Sequence, residues 1–165
     1  MFTRIFVPLD GSTLAEQALP YAEELAGLFG ASLHIVRVVD VAAFERYTAY
    51  GYAAIASEGL IADEEARCET YLLAIQRDLN CRGYHVSTEQ RRGRVVPELV
   101  SAIAAGDLVV IASHGRGGLT RVFLGSVAEE MMRRSPAPVL LVRPEHEAPA
   151  RFPAHSELRT VLAAS

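Results

Sequence analysis

Lysine is absent from this 165-residue chain; its 16 basic side chains are all arginine. That excludes a phosphate-loop lysine, a Schiff-base lysine and a lysine general base. Cysteine is scarce. Cys68 and Cys81 form no Cys-x-x-Cys pair, so neither a disulfide framework nor a zinc site is indicated. No apolar run approaches the roughly 20 residues a membrane span requires. The opening MFTRIFVPLD is interrupted by Pro8 and Asp10 too soon for a signal peptide. Excess positive charge is missing as well. A net charge of −4 gives no general attraction to nucleic acid or to an anionic membrane. The expectation is a cytoplasmic protein with no nucleic-acid or membrane partner.

What is present is an apolar half, 50% of the residues, arranged in recurring patterns. The most informative stretch is LVVIASHGRGGLTRVFLGSV, Leu108 to Val127. Leu108 to Ile111 is a short apolar run of the kind that forms a strand buried on both faces. Gly115, Gly117 and Gly118 follow, where another group can approach the backbone closely. Ser126 and Glu129 have capping-box spacing, which predicts a helix with Ser126 as its N-cap. Strand, glycine loop and helix N-terminus together present backbone N–H groups to an anion.

The remaining chain alternates in the same way. Arg4 to Leu9 reads as the first strand, with Pro8 at its end. Thr13 and Glu16 predict a helix start near Thr13. Pro20 predicts a kink in that helix, and Gly30 its end. Ser32 to Val39 reads as the second strand. Its His34 and Arg37 are expected to be solvated or hydrogen-bonded rather than ligands. Residues 41–60 show no clean period; helical spacing returns from about Ile61 to Leu79. Tyr84 to Gln90 alternates as an edge strand does, and Arg91, Arg92 and Arg94 suit the protection of that edge better than the alternative, an anion site. Pro97 suits the first turn of a further helix. Val139 to Val142 is the last strand. After Pro144 the composition changes, so the expected division is a domain over 1–144 and a C-terminal extension over 145–165.

This order predicts an α/β fold: a five-stranded parallel, doubly wound sheet, order 3-2-1-4-5, with helices on both faces, Rossmann-like. Ligands of such sheets bind beyond the carboxyl ends of the strands, where the strand order reverses. The reversal falls between strands one and four. There Asp10 meets the glycine loop. Asp10 offers acceptors for a ribose diol, Val38 and Val39 an apolar wall for a base, and the loop its N–H groups for phosphate. Arg116 and Arg121 add positive charge. The combination suits a nucleotide better than a bare anion.

At these residues the chain resembles the universal stress protein family over roughly residues 1–144. The nucleotide-binding members carry Gly-x2-Gly-x9-Gly-Ser/Thr. The matching string here is Ala112-Ser113-His114-Gly115, nine residues, then Gly125-Ser126, with Ala112 in place of the first glycine. VPLDGS, AEQALPYA, SHGRGG, LGSVAE and PAPVLLV are also similar to the family. The resemblance implies ATP or AMP, with or without magnesium, as ligand. By position it puts Pro8 and Asp10 near adenine or ribose and Val38 near the base. It puts Ala112, Gly115 and Gly118 along ribose and phosphates, and Gly125, Ser126 and Val127 at the phosphate end. Leu9, Ser113, His114 and Arg116 complete the expected nucleotide site. It also implies a homodimer, through pairing of Val139–Val142. No catalytic or metal-binding residue is expected, and at most weak ATP hydrolysis. Three readings stay open: a nucleotide-binding stress or signalling protein, a dimeric interaction module with an empty site, and a slow ATPase.

Overall fold

Four apolar segments and one alternating, largely polar segment form the sheet that the sequence order predicts. A computed structural model describes residues 1–42, 54–113 and 124–144, with only the backbone of 54–57. The strands are β1 (Arg4–Pro8), β2 (Ser32–Asp40), β3 (Val86–Gly93), β4 (Asp107–Ala112) and β5 (Val139–Val142). All described pairings are parallel, in the order β3-β2-β1-β4-β5. Phe6 lies opposite both His34 of β2 and Val109 of β4, so β1 is central. The predicted order therefore holds, with β3 at one edge and β5 at the other.

Alternate residues of each strand face opposite layers of helix. One layer comprises α1 (Thr13–Glu16), α2 (Ala18–Phe29) and α3 (Ala54–Cys81). Its core joins Ile5, Val7, Leu19, Leu33, Ile35, Ile75, Leu79 and Val110. The other comprises α4 (Val95–Ala102) and α5 (Ser126–Arg134). There Phe6, Val36, Leu99, Val109, Ile111 and Met131 pack together. Each fully buried aliphatic side chain contributes roughly 1.5–3 kcal/mol through removal from water.

The helix ends show where local signals compete. The first helix begins at Thr13, but its cap is Ser12, whose Oγ accepts the Ala15 N–H at 3.1 Å. Glu16 does not reach back to complete a capping box. It is buried and accepts the Tyr71 hydroxyl instead. The helix divides at Gln17, between α1 and α2. Pro20 has no N–H for the Glu16 carbonyl, which accounts for the break. Gly30 adopts the left-handed conformation, φ 63°, and its N–H closes on Ala26. The helix expected from Ile61 starts at Ala54, and the strand expected from Tyr84 runs from Val86 to Gly93.

Candidate functional site

β1 and β4 are neighbours, yet the chain leaves them toward opposite edges: β1 leads to β2, β4 to β5. Their carboxyl ends thus flank the one reversal of strand order, the place where open α/β sheets bind ligands. Pro8 closes β1 opposite Val36, and the Leu9 N–H donates to the Val36 carbonyl at 2.9 Å. Leu9 turns its side chain into the α1–α3 core. Asp10 follows at the rim, half-buried, its Oδ1 accepting the Ser12 N–H at 2.9 Å. That bond makes the turn and fixes the direction of the carboxylate.

Across the reversal, Ala112 ends β4. Its methyl is buried in the α1–α3 core. The residue replacing the family's first glycine therefore points inward. Ser113 is buried; its N–H donates to the Val142 carbonyl at 2.7 Å, and its carbonyl accepts the Gly125 N–H at 2.8 Å. The second bond brings the start of α5 to the end of β4. His114, Gly115, Arg116 and Gly118, with Gly117 and Arg121, lie outside the described residues.

Gly125, not Ser126, is the N-cap of α5. Its backbone is extended, φ −60° and ψ 143°, and its carbonyl accepts the Glu129 N–H at 2.9 Å. The bond to Ser113 orients the chain at Gly125, so the helix begins one residue earlier than the Ser-x-x-Glu spacing suggests. Ser126 is the first helical residue and is exposed; Val127 is half-buried against the α4–α5 core. Among the described residues, no side-chain hydrogen bond caps this helix. The first-turn N–H groups of such an end attract anions. The two valines expected to wall a base separate: Val38 packs on the α4–α5 side, and Val39 is buried among α1–α3.

Two polar clusters escaped the sequence reading. Behind Asp10, on the α1–α3 side, the Tyr71 hydroxyl donates to Glu16 at 2.9 Å. Arg37, 2% exposed, lies 5.2 Å over the Tyr71 ring and donates to Glu64 at 2.7 Å. Burial, then the neighbouring Glu16 carboxylate, pushes the Tyr71 phenol far above its usual range. On the other side, His34 is buried between Ser87 and Glu89. Burial, aided by the positive charge of Arg4, holds its imidazole below the usual histidine value. Arg4 itself is bound to Asp107 through two 2.7 Å contacts, which raise the guanidinium pKa. Only strand register unites these groups, since Ser87 and Glu89 stand far from His34 in sequence. Among the described residues, no group of three or more His, Cys, Asp or Glu is placed to hold a metal. No described helix is long and apolar enough to cross a membrane.

A profile of the universal stress protein family matches residues 1–143. The chain belongs to the universal stress protein family. Universal stress protein MJ0531 of Methanocaldococcus jannaschii is 31% identical over 145 residues, covering 87% of this chain and 83% of that one. A putative universal stress protein of Staphylococcus saprophyticus, SSP1056, is 28% identical over 156 residues, covering 92% and 89%. Among solved structures, hypothetical protein MJ0577 superposes with a TM-score of 0.75 at 23% identity, over 89% of this chain and 99% of that one. Universal stress protein UspA from Lactobacillus plantarum gives 0.73 at 23%, over 86% and 98%. A universal stress protein solved in complex with cAMP gives 0.56 at 23%, over 87% and 98%. These structural likenesses establish the universal stress protein fold.

Proposed function

We propose that this chain binds an adenine nucleotide, ATP or AMP, in the crevice between β1 and β4, and acts in stress response or signalling as a cytoplasmic homodimer. The observation that carries the reading is the approach of the α5 N-terminus to the end of β4, through Gly125 and Ser113, beside the Asp10 turn of the adjacent strand. A diol acceptor and a phosphate-seeking helix end then stand at one reversal. Asp10 would take the ribose hydroxyls, and the N–H groups after Gly125 the phosphates. Ala112 fits this arrangement because its methyl is buried in the core. Leu9 supports the turn from beneath. Gly115 and Gly118 are assigned to the phosphate loop by motif, along with Arg116. The ligand class also agrees with the family relative solved with cAMP.

The dimer is proposed through β5. It is an edge strand whose Leu140 and Leu141 are 39% and 37% exposed, and an apolar edge favours strand pairing with a second copy. Sedimentation should give the mass of two chains rather than 17.9 kDa. Isothermal titration with ATP and with AMP tests the ligand. Saturable heat that Gly118→Val abolishes supports it; no heat at millimolar nucleotide defeats it and favours the interaction module with an empty site.

A further inference from the structure

The outer face of β3 carries a line of chemistry unrelated to the crevice. Ser87, Glu89 and Arg91 are spaced by two, so their side chains rise from one side of the strand. Parallel register sets Ser87 opposite His34 and Glu89 opposite Val36. The imidazole thus reaches both: Nδ1 is 2.8 Å from Ser87 Oγ, and Nε2 is 3.1 Å from Glu89 Oε2. A carboxylate only accepts, so Nε2 carries the ring proton and Nδ1 presents its lone pair to the serine hydroxyl. That hydroxyl has an alternative acceptor in the Leu33 carbonyl, at 3.4 Å, which the closer imidazole outcompetes.

The carboxylate is oriented in turn. Arg91 Nε donates to Glu89 Oε1 at 2.8 Å, while its Nη1 is held by Ser101 at 2.7 Å and Glu98 at 3.2 Å, both on α4. Phe6 packs against the imidazole, ring centroids 5.8 Å apart. His34 is 7% exposed, whereas Ser87 stands open to solvent. A nucleophile, a base and an orienting acid are therefore within reach of one another, with the base buried and the nucleophile exposed. The sheet edge adds a donor. The Leu33 N–H bonds to the His85 carbonyl, so by alternation the N–H of Thr88 points away from the sheet. A donor on the residue after the nucleophile suits a developing oxyanion.

We propose that Ser87 is a nucleophile for acyl transfer from small carboxylic esters, with His34 as its base and Glu89 as the group positioning that base. Ser87 Oγ forms the bond to the ester carbonyl carbon as its proton passes to His34 Nδ1. The bond to the leaving alkoxide breaks, and that oxygen takes the proton from Nδ1. Water then attacks the acyl-serine by the same route, giving the carboxylic acid and restoring the hydroxyl. Among the described residues the site lies at a sheet edge, which favours small, activated esters.

The test uses the full chain with a fluorophosphonate, which phosphonylates activated serines with loss of fluoride, and with p-nitrophenyl acetate. Peptide mapping should place the adduct on Ser87. Ser87→Ala should remove both the adduct and ester turnover. His34→Gln should slow labelling at least about a hundredfold, the lower end of what general-base catalysis supplies. Glu89 is 35% exposed at its side chain, so Glu89→Gln serves where His34→Gln disturbs the fold; it should slow labelling and shift its pH profile. The proposal is overturned if Ser87 in the native chain labels no faster than in the denatured chain, or if Glu89→Gln leaves both rate and pH profile unchanged.

Discussion

The two faces of the sheet bury polar groups in opposite ways. On the α1–α3 side a long helix, Ala54–Cys81, covers the strands. Arg37 and Tyr71 are sealed there, joined to Glu16 and Glu64. On the α4–α5 side the eight-residue helix Val95–Ala102 packs near the β3 edge, and Ser87 remains open beside buried His34. Coverage decides what a polar network does. Sealed, it latches elements together; open on one side, it offers a reactive group to solvent.

The largest effect should come from breaking the sealed side. Arg37→Ala removes the buried member of the Arg37–Glu64 pair, leaving Glu64 with Arg67, and opens space over Tyr71. We expect a loss of about 3–5 kcal/mol in denaturant unfolding. Arg37→Met, which keeps volume, should lose less; an equal loss would mean packing plays no part. Next, Tyr71→Phe removes one donor from buried Glu16 and should cost about 1–3 kcal/mol by the same measurement.

The open side should respond to pH instead. His34 faces Ser87, Glu89, Arg4 and Asp107, and its folded-state pKa lies below that of the unfolded chain. The unfolded state therefore binds the proton more readily. Stability should fall as pH drops through roughly 6.5 and level off below the folded value. Thermal melts from pH 7.5 to 5 should show this slope, and His34→Gln should flatten it. Smallest of all, Ser87→Ala should cost about 1 kcal/mol, because water can replace the exposed hydroxyl at His34 Nδ1. A larger change would make Ser87 part of the frame and merge the two faces into one behaviour.

The sheet was legible because its apolar segments are short, β-branched and separated by helical spacing. The edge position of β3 was legible in its alternation. The start of α3 was not: Gly59 reads as punctuation, yet it is tolerated within the helix, where side-chain packing further along supplies the stability. The caps slipped by one residue because adjacent Ser, Thr and Gly all suit an N-terminus, and tertiary bonds from Ser113 and Tyr71 chose among them. At the candidate site, Pro8, Asp10, Ala112 and Gly125 were legible as strand and helix ends. Val39 was not, since its direction depends on which face α3 covers. His34 reads as an isolated side chain, because its partners are 53 and 55 residues away and meet it only through register.

The single bond from Gly125 to Ser113 has a broader implication. It clamps the two feet of the intervening segment to the frame. Residues between those feet can be exchanged or lengthened without re-registering any strand. Under the proposed function, exchanging that insert should alter ligand preference while the scaffold beneath stays the same.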